Sequence, residues 1–371
     1  KFIKKLILKI SVIIVSYNCK EFLDYCIQSV FSALKNISGE IIVVDNCSDD
    51  ETVKYLKSKN YRLKLIESKV NLGFSKANNK AARLASGEYL FFLNPDTIIP
   101  EDIFENFFDN ISKNLGILSY KMIDGKGRFL AESKRNFPNS GIILKKLLGL
   151  KSNYYSGTDE NDFGEVDVLC GANMFIKSSV FIQINGFNED YFMYGEDIEL
   201  SYKSKKLGFK NFYNGRLSII HFKGESTKND IHYLSNFYGA MKIYYGNIIS
   251  SNNFILLIIN IISCCLIFLN TIFPKKTDLN FKANKNILLS NKRNSRLENR
   301  IGGVAVIDKI NSSLSDCNLI MDANYMTFKD IIQTIIGLKN QRKINFWFLS
   351  KDSSYVIEAG DMNKKGNIFF L

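Results

Sequence analysis

The sequence predicts an α/β protein: a mostly parallel sheet with helices on both faces, followed by a membrane-associating helix and a small α/β C-terminal unit. Three observations predict it. Short β-branched runs alternate with amphipathic helical stretches between Lys9 and Leu93, and such alternation calls for parallel strands joined by crossover helices. Polar residues collect where the runs end, at Ser16–Asn18, Asp45–Asp50 and Asn94–Thr97, the carboxyl edge at which these sheets bind ligands. A chain of 371 residues with 46% apolar and 23% charged residues is also large enough to bury a real core.

Lys9–Val15 is the first strand, Glu21–Leu34 a helix by the spacing of Phe22, Tyr25, Cys26, Ser29, Val30 and Ala33, and Glu40–Val44 the second strand. Asp49–Lys59 supplies a helix, Leu63–Glu67 a strand, Ser75–Leu84 a helix and Glu88–Leu93 a fourth strand. Asp45, closing the second strand, can accept from the imide N–H of a pyrimidine base; it could also cap the next helix, though Ser48 and Asp49 suit that task better. Tyr89–Leu93 is apolar enough to be central, and Pro95 ends the ladder and turns Asp96 outward. A carboxylate there can hold Mg²⁺ or Mn²⁺ by one oxygen while a diphosphate supplies others, although N-P-D is also ordinary turn chemistry.

A further strand begins at Gly171–Ile176, and Gly186–Glu189 leads into Phe192–Leu200. Glu196, Asp197 and Glu199 cluster where a helix should start, with Leu200, Leu207 and Phe209 as its apolar side. Acids in a first turn complement the helix dipole, but behind an aromatic loop one of them could deprotonate an acceptor hydroxyl. The apolar run Leu217–Ile220 brings His221 to the sheet edge.

Taken in order, S-V-I-I-V-S-Y-N (11–18), V-V-D-N-C-S-D-D (43–50), N-L-G-F-S-K-A-N-N (71–79), L-N-P-D (93–96), G-A-N-M-F (171–175), G-F-N-E-D-Y-F-M-Y-G-E-D-I-E-L (186–200) and I-I-H-F (219–222) resemble the inverting family 2 glycosyltransferases of GT-A fold. The match is nearest their rhamnosyltransferase-like branch and covers roughly residues 10–245. The resemblance implies a Rossmann-like catalytic domain over 1–245 that contacts the donor nucleotide through Ser16, Tyr17, Asn18, Asp45, Asn46, Asn79 and Asn94. It implies Asp96 and His221 at a divalent metal, Asp197 as catalytic base and Glu196 as its partner. It also implies a nucleotide-sugar donor, a deoxyhexose such as rhamnose on dTDP or else a UDP sugar, and a glycan or polyprenyl-linked acceptor. Three positions depart from the pattern: Asn94 replaces the first acid of D-x-D, Lys203 stands where an Arg often follows the E-D helix, and Asn188 replaces an Asp.

The net charge of +12 points to an anionic partner. Its lysines run from Lys1 to Lys365 without a basic helix or interleaved stacking aromatics, so nucleic acid is not expected and an anionic membrane surface is. The seven cysteines lack C-x-x-C spacing and read as buried thiols of a reducing cytoplasm. KFIKKLILKI runs into the first strand without a cleavage site and reads as the opening of the fold.

Phe254–Phe273 is twenty residues long, enough for a hydrocarbon core of roughly 30 Å. Asn260, Ser263 and Asn270 interrupt it, and Lys275, Lys276, Lys282 and Lys285 favour a cytoplasmic continuation. Residues 246–279 are therefore expected to lie in the membrane surface, making the protein peripheral or monotopic at the cytoplasmic face of the plasma membrane, with a spanning or a buried helix as the alternatives. Gly141–Leu150 reads as a second surface contact or an ordinary amphipathic helix. Residues 280–300 read as a polar linker and 301–371 as a truncated Rossmann-like unit with strands at Val304–Ile307, Leu319–Met321 and Phe346–Leu349 and a helix at Phe328–Leu338. Two other function classes remain: a non-catalytic sugar-nucleotide or glycan-binding module, opposed by Glu196 and Asp197, and a nucleotidyltransferase, opposed by the lack of glycine in S-Y-N-C-K.

Overall fold

The computed structural model describes residues 9–147, 150–223, 231–250, 283–310, 314–341, 343–359 and 366–371, with 257, 260–262 and 264 between them. Along the chain come β1 (Ile10–Ser16), α1 (Lys20–Ala33), β2 (Gly39–Asp45), α2 (Thr52–Ser58), β3 (Lys64–Glu67), α3 (Gly73–Ala82), β4 (Tyr89–Leu93), β5 (Thr97–Ile98), α4 (Ile103–Asp109) and β6 (Leu115–Ile123). They are followed by β7 (Lys134–Arg135), α5 (Ser140–Leu147), β8 (Phe163–Glu165), β9 (Val168–Leu169), β10 (Asn173–Lys177), α6 (Ser178–Gln183), α7 (Glu196–Lys206), β11 (Lys210–His221) and α8 (Ile231–Tyr244).

The main sheet has the order β3-β2-β1-β4-β10-β6-β11-β5, with β8 on β11. β1 to β4 are mutually parallel, β11 is parallel to β6, and β10 runs against both of its neighbours. The order reverses direction between β1 and β4, the switch point where an open α/β sheet leaves a crevice for ligand. This sets Ser16–Asn18 beside Asn94–Asp96. Strand β10, being antiparallel, starts rather than ends at that edge, and the Asn94 amide donates to the carbonyl of Ala172 at 2.9 Å. Val12, Ile14, Val43 and Phe91 pack with Leu23, Ile27 and Val30 of α1 on one face, whereas Ile13, Ile42, Val44 and Phe92 pack with Ala77 and Ala81 of α3 on the other. Alternate residues of one strand thus serve opposite layers.

Residues 283–371 carry a second sheet of order β13-β12-β14-β15-β16-β17, made of β12 (Lys285–Leu289), β13 (Val304–Ile307), β14 (Cys317–Asp322), β15 (Ile344–Leu349), β16 (Tyr355–Glu358) and β17 (Asn367–Phe370). Helices α9 (Ser295–Ile301) and α10 (Phe328–Leu338) accompany it. This corrects the reading of 280–300 as a linker. Its three apolar residues Ile287–Leu289 are flanked by Asn and Lys, yet they are the buried end of a strand paired in parallel on both sides.

The second sheet is joined to the first by one apolar cluster that takes Phe22, Tyr25, Ile98, Ile123, Ile220 and Phe222 from one and Leu319, Phe328, Ile335, Phe346, Phe348 and Ile357 from the other. Polar contacts add to it. The Glu101 carboxylate accepts from the first amides of α10, Phe328 at 2.8 Å and Lys329 at 2.9 Å. Asp24, fully buried in α1, accepts from Tyr61, Gln28 and Tyr355 at 2.6–2.7 Å.

The apolar stretch 254–273 and the start KFIKKLIL lie outside the described residues, apart from the few positions named above. Among the described residues no helix is long and apolar enough to cross a membrane. Two smaller expectations change. Cys47 and Cys264 are exposed, whereas Cys19, Cys26 and Cys317 are buried. Leu207, expected on the apolar side of α7, lies at its C-terminal cap and is exposed, while Leu200 is buried.

Candidate active site

Two groups of side chains face the carboxyl edge of the main sheet. On the first side, Asp45 ends β2 with one carboxylate oxygen accepting from the Ser48 amide at 3.0 Å and the other buried without a partner. Asn18 takes the left-handed conformation at φ 51° and joins the two loops: its amide donates to the Ser48 hydroxyl, and its side-chain oxygen accepts from the Asp49 amide at 2.8 Å. Tyr17 beside it is 37% exposed, while Ser16 is buried against Cys19.

The amides of Asn46 and Asn79 are spent within the protein. Asn46 donates to the Asn71 side chain at 2.8 Å and accepts from the Leu72 amide at 2.8 Å. Asn79 donates to the Phe187 carbonyl at 2.8 Å and accepts from the Phe187 amide at 3.0 Å. Both are buried, and their side chains fasten neighbouring loops. Gly73 belongs to the same arrangement. Its φ is +75°, and a Cβ there would meet the Phe192 carbonyl oxygen at 2.4 Å, so only glycine lets the two loops approach.

Asp96 and His221 meet across the β5–β11 pairing, in which His221 lies opposite Thr97. The imidazole Nε2 is 3.3 Å from Asp96 Oδ1, an ion-pair approach without hydrogen-bond geometry, and 3.4 Å from the Asn94 amide. Burial works to raise the Asp96 carboxyl, but the neighbouring His221, with Lys223 behind it, outweighs burial and holds it below the usual carboxylate range. Asp96 Oδ1 and His221 Nδ1 are both buried and lack a hydrogen-bond partner. These are donor atoms suited to a divalent cation. Among the described residues no cluster of three or more His, Cys, Asp and Glu could hold one, so further ligands would have to come from a bound phosphate or water.

The second group surrounds the start of α7. Gly195 precedes it at φ +82°, and Glu196 and Asp197 are both less than a tenth exposed. Asp197 Oδ2 accepts from Arg135 at 2.6 Å and from the Gly171 amide at 3.1 Å, leaving Oδ1 buried and unpaired. Arg135, in β7, also donates to the Leu169 carbonyl at 2.9 Å and the Tyr154 hydroxyl at 3.2 Å. Burial opposes its charge, and Asp197 more than offsets that, so the guanidinium is held protonated. Of the departures from the family pattern, Asn188 donates to Glu199 at 3.1 Å, and Lys203 pairs with the same Glu199 at 3.2 Å.

Sequence reasoning missed Arg135. Its signal is faint: in a chain with 40 lysines and nine arginines, an arginine marks a place where a planar fork is required.

Glu196 is pushed up to about 8 by burial and by the charge of Asp197. Its acid therefore stays protonated in the native protein while the unfolded chain ionises near 4.5. Between those values the native state binds the extra proton, so Glu196 costs stability as pH rises through the window. Glu196→Gln should flatten the fall of Tm between pH 5 and 8, measured by thermal melts across that range; an unchanged slope would show that Glu196 is ionised in the native protein.

The fold is a mixed α/β one, and both groups of side chains sit at one edge of its main sheet. Residues 11–184 match the family described as Glycosyl transferase family 2. It is 32% identical over 216 residues to the low-salt glycan biosynthesis hexosyltransferase Agl10 of Haloferax volcanii, covering 57% of this chain and 65% of that one. It is 28% identical over 234 residues to the rhamnosyltransferase WbbL of Escherichia coli, covering 59% and 85%. Among solved structures, the mannosyltransferase PcManGT from Pyrobaculum calidifontis with GDP-Man and Mn²⁺ aligns with a TM-score of 0.46 at 17% identity, over 64% of this chain and 63% of that one.

Proposed function

We propose that the protein moves a sugar from a nucleoside-diphosphate donor, with inversion, onto a hydroxyl of a lipid-linked or surface-polysaccharide glycan. The observation that carries this reading is the placement of Asp197: one oxygen fixed by Arg135 and Gly171, the other buried and unpaired. A carboxylate so oriented can accept a proton at Oδ1 from an incoming hydroxyl.

In this reading Tyr17, Asn18 and Asp45 receive the nucleoside, and Asp96 with His221 holds a divalent metal, Mg²⁺ or Mn²⁺, at the diphosphate. When bound, that metal would offset charge developing on the leaving phosphate. Asp197 takes the acceptor's proton, the acceptor oxygen forms a bond to the anomeric carbon, and the bond from that carbon to the phosphate oxygen breaks with its electron pair. Arg135 keeps Asp197 in place as the proton moves. A single displacement of this kind inverts the anomeric centre and needs no enzyme nucleophile.

An apolar cavity of about 50 Å³ adjoins the base, lined among others by Ile142, Tyr154, Tyr194, Ile198, Phe237 and Met241. The neighbouring groove presents Lys145 and Lys151 beside Leu150 and Tyr155. Apolar walls with lysines at their edge suit a lipid carried on phosphate, which supports a polyprenyl-linked acceptor and a protein working at an anionic membrane surface. The names of the relatives support a hexose or a deoxyhexose such as rhamnose, and in this reading it is carried on dTDP or UDP. The test is incubation with dTDP- and UDP-sugars, Mn²⁺ and bacterial polyprenyl-linked glycans. Release of the nucleoside diphosphate with growth of the lipid-linked glycan is expected; pyrophosphate release from a nucleoside triphosphate would point to a nucleotidyltransferase instead.

A further inference from the structure

Among the residues by which the second sheet reaches the donor side of the site, Phe222 lies next to His221. The Phe222 amide donates to the Asp96 carbonyl at 2.9 Å, so its backbone ties together the two residues read above as metal ligands. Its ring is buried and held edge-to-face from two directions, by Phe22 of α1 with ring centroids 5.2 Å apart and by Phe348 of β15 at 4.9 Å. Phe348 also meets Tyr25 of α1 at 6.1 Å. The segment that carries Asp96 is held on one side by Asn94 at Ala172 and Ile99 at Ser29, and on the other by a short ladder. Strand β5 is two residues long and pairs with β11 only at Ile98–Ile220 and Thr97–His221, and Ile98 and Ile220 belong to the same apolar cluster as Phe348. So short a ladder depends on side-chain packing for its position.

We propose that Phe348 is a positioning residue for donor binding: the C-terminal sheet, through this ring and Phe222, sets the geometry of Asp96 and His221. The inference rests on the reading of those two residues as the donor-diphosphate end of the site. Close-packed interiors transmit a change of volume to their neighbours. With Phe348 cut to alanine, the Phe222 ring loses one wall, and the backbone that binds Asp96 to His221 is free to shift.

The chain contains its own control. Trp347, one residue earlier in β15, faces the opposite side of the sheet, where it stacks on Phe369 at 4.8 Å within a cluster that has no residue of the main sheet. Phe348→Ala and Trp347→Ala are therefore both large-to-small changes in one strand, and only the first touches Phe222.

The experiment compares wild type, Phe348→Ala, Phe348→Leu and Trp347→Ala by two readouts: amide hydrogen exchange over 94–98 and 219–223, and calorimetric binding of UDP and dTDP with Mn²⁺. Phe348→Ala should speed exchange at Phe222 and weaken nucleotide binding, each by about tenfold or more, the scale expected when local opening becomes easier by one decade. Phe348→Leu should recover most of both, and Trp347→Ala should change neither despite its loss of Tm. Equal effects from Trp347→Ala and Phe348→Ala would overturn the proposal, as would unchanged exchange in Phe348→Ala. If Phe348→Ala does not fold, Phe348→Leu against Trp347→Ala decides by the same readouts. Should wild type bind neither nucleotide with Mn²⁺, the donor reading fails, and the exchange data alone still decide whether Phe348 positions the Asp96–His221 pair.

Discussion

Asp197→Asn is expected to lower the rate of sugar transfer by about 10²–10⁴-fold, the range a general base contributes, while leaving donor binding intact. Asparagine keeps the shape and can still accept from Arg135 and Gly171, but its free side cannot take a proton. The substitution does remove the charge opposite a buried guanidinium, and breaking a buried ion pair can cost about 3–5 kcal/mol. Arg135 retains the Leu169 carbonyl and the Tyr154 hydroxyl as acceptors, so a partial loss of Tm with a folded protein is the expected result. Calorimetric donor binding separates the two effects. Full transfer activity in Asp197→Asn would mean that another group removes the proton.

Asp96→Ala is expected to abolish metal-dependent donor binding. Removing only a supporting contact at a metal site costs about 10–100-fold in affinity, and loss of a direct ligand should exceed that. The effect should appear as a weaker affinity for the nucleoside diphosphate in Mn²⁺, with little change in the affinity measured in chelator. Among the described residues His221 then keeps only Asn94 as a polar neighbour at its Nε2, so a modest loss of stability should accompany it. Unchanged Mn²⁺ dependence would move the metal elsewhere.

The parts of this fold governed by local patterns could be read from the chain. Strands β1 to β4 and their helices follow from β-branched runs and helical spacing, and the edge positions of Asp45 and Asp96 follow from where those runs stop. The parts that depend on distant pairing could not. Nothing near Asn79 in the chain announces its partner Phe187, 108 positions away. Arg135 sits in a two-residue strand and meets Asp197 across 62 positions, with no periodicity to announce it. The linker reading of 280–300 failed because Asn and Lys dominate its composition, while the burial of Ile287–Leu289 comes from the flanking strands β13 and β14. The join between the two sheets is likewise invisible locally, since Phe22, Phe222 and Phe348 become neighbours only in the folded chain.

The most direct test of the central claim is calorimetric titration of the purified protein with UDP, dTDP, GDP and their sugar conjugates, with and without Mn²⁺, repeated on Asp96→Ala. Metal-dependent binding of one nucleoside diphosphate and its sugar, lost in Asp96→Ala, is the predicted result. Absence of binding across the whole series by folded wild-type protein would contradict it.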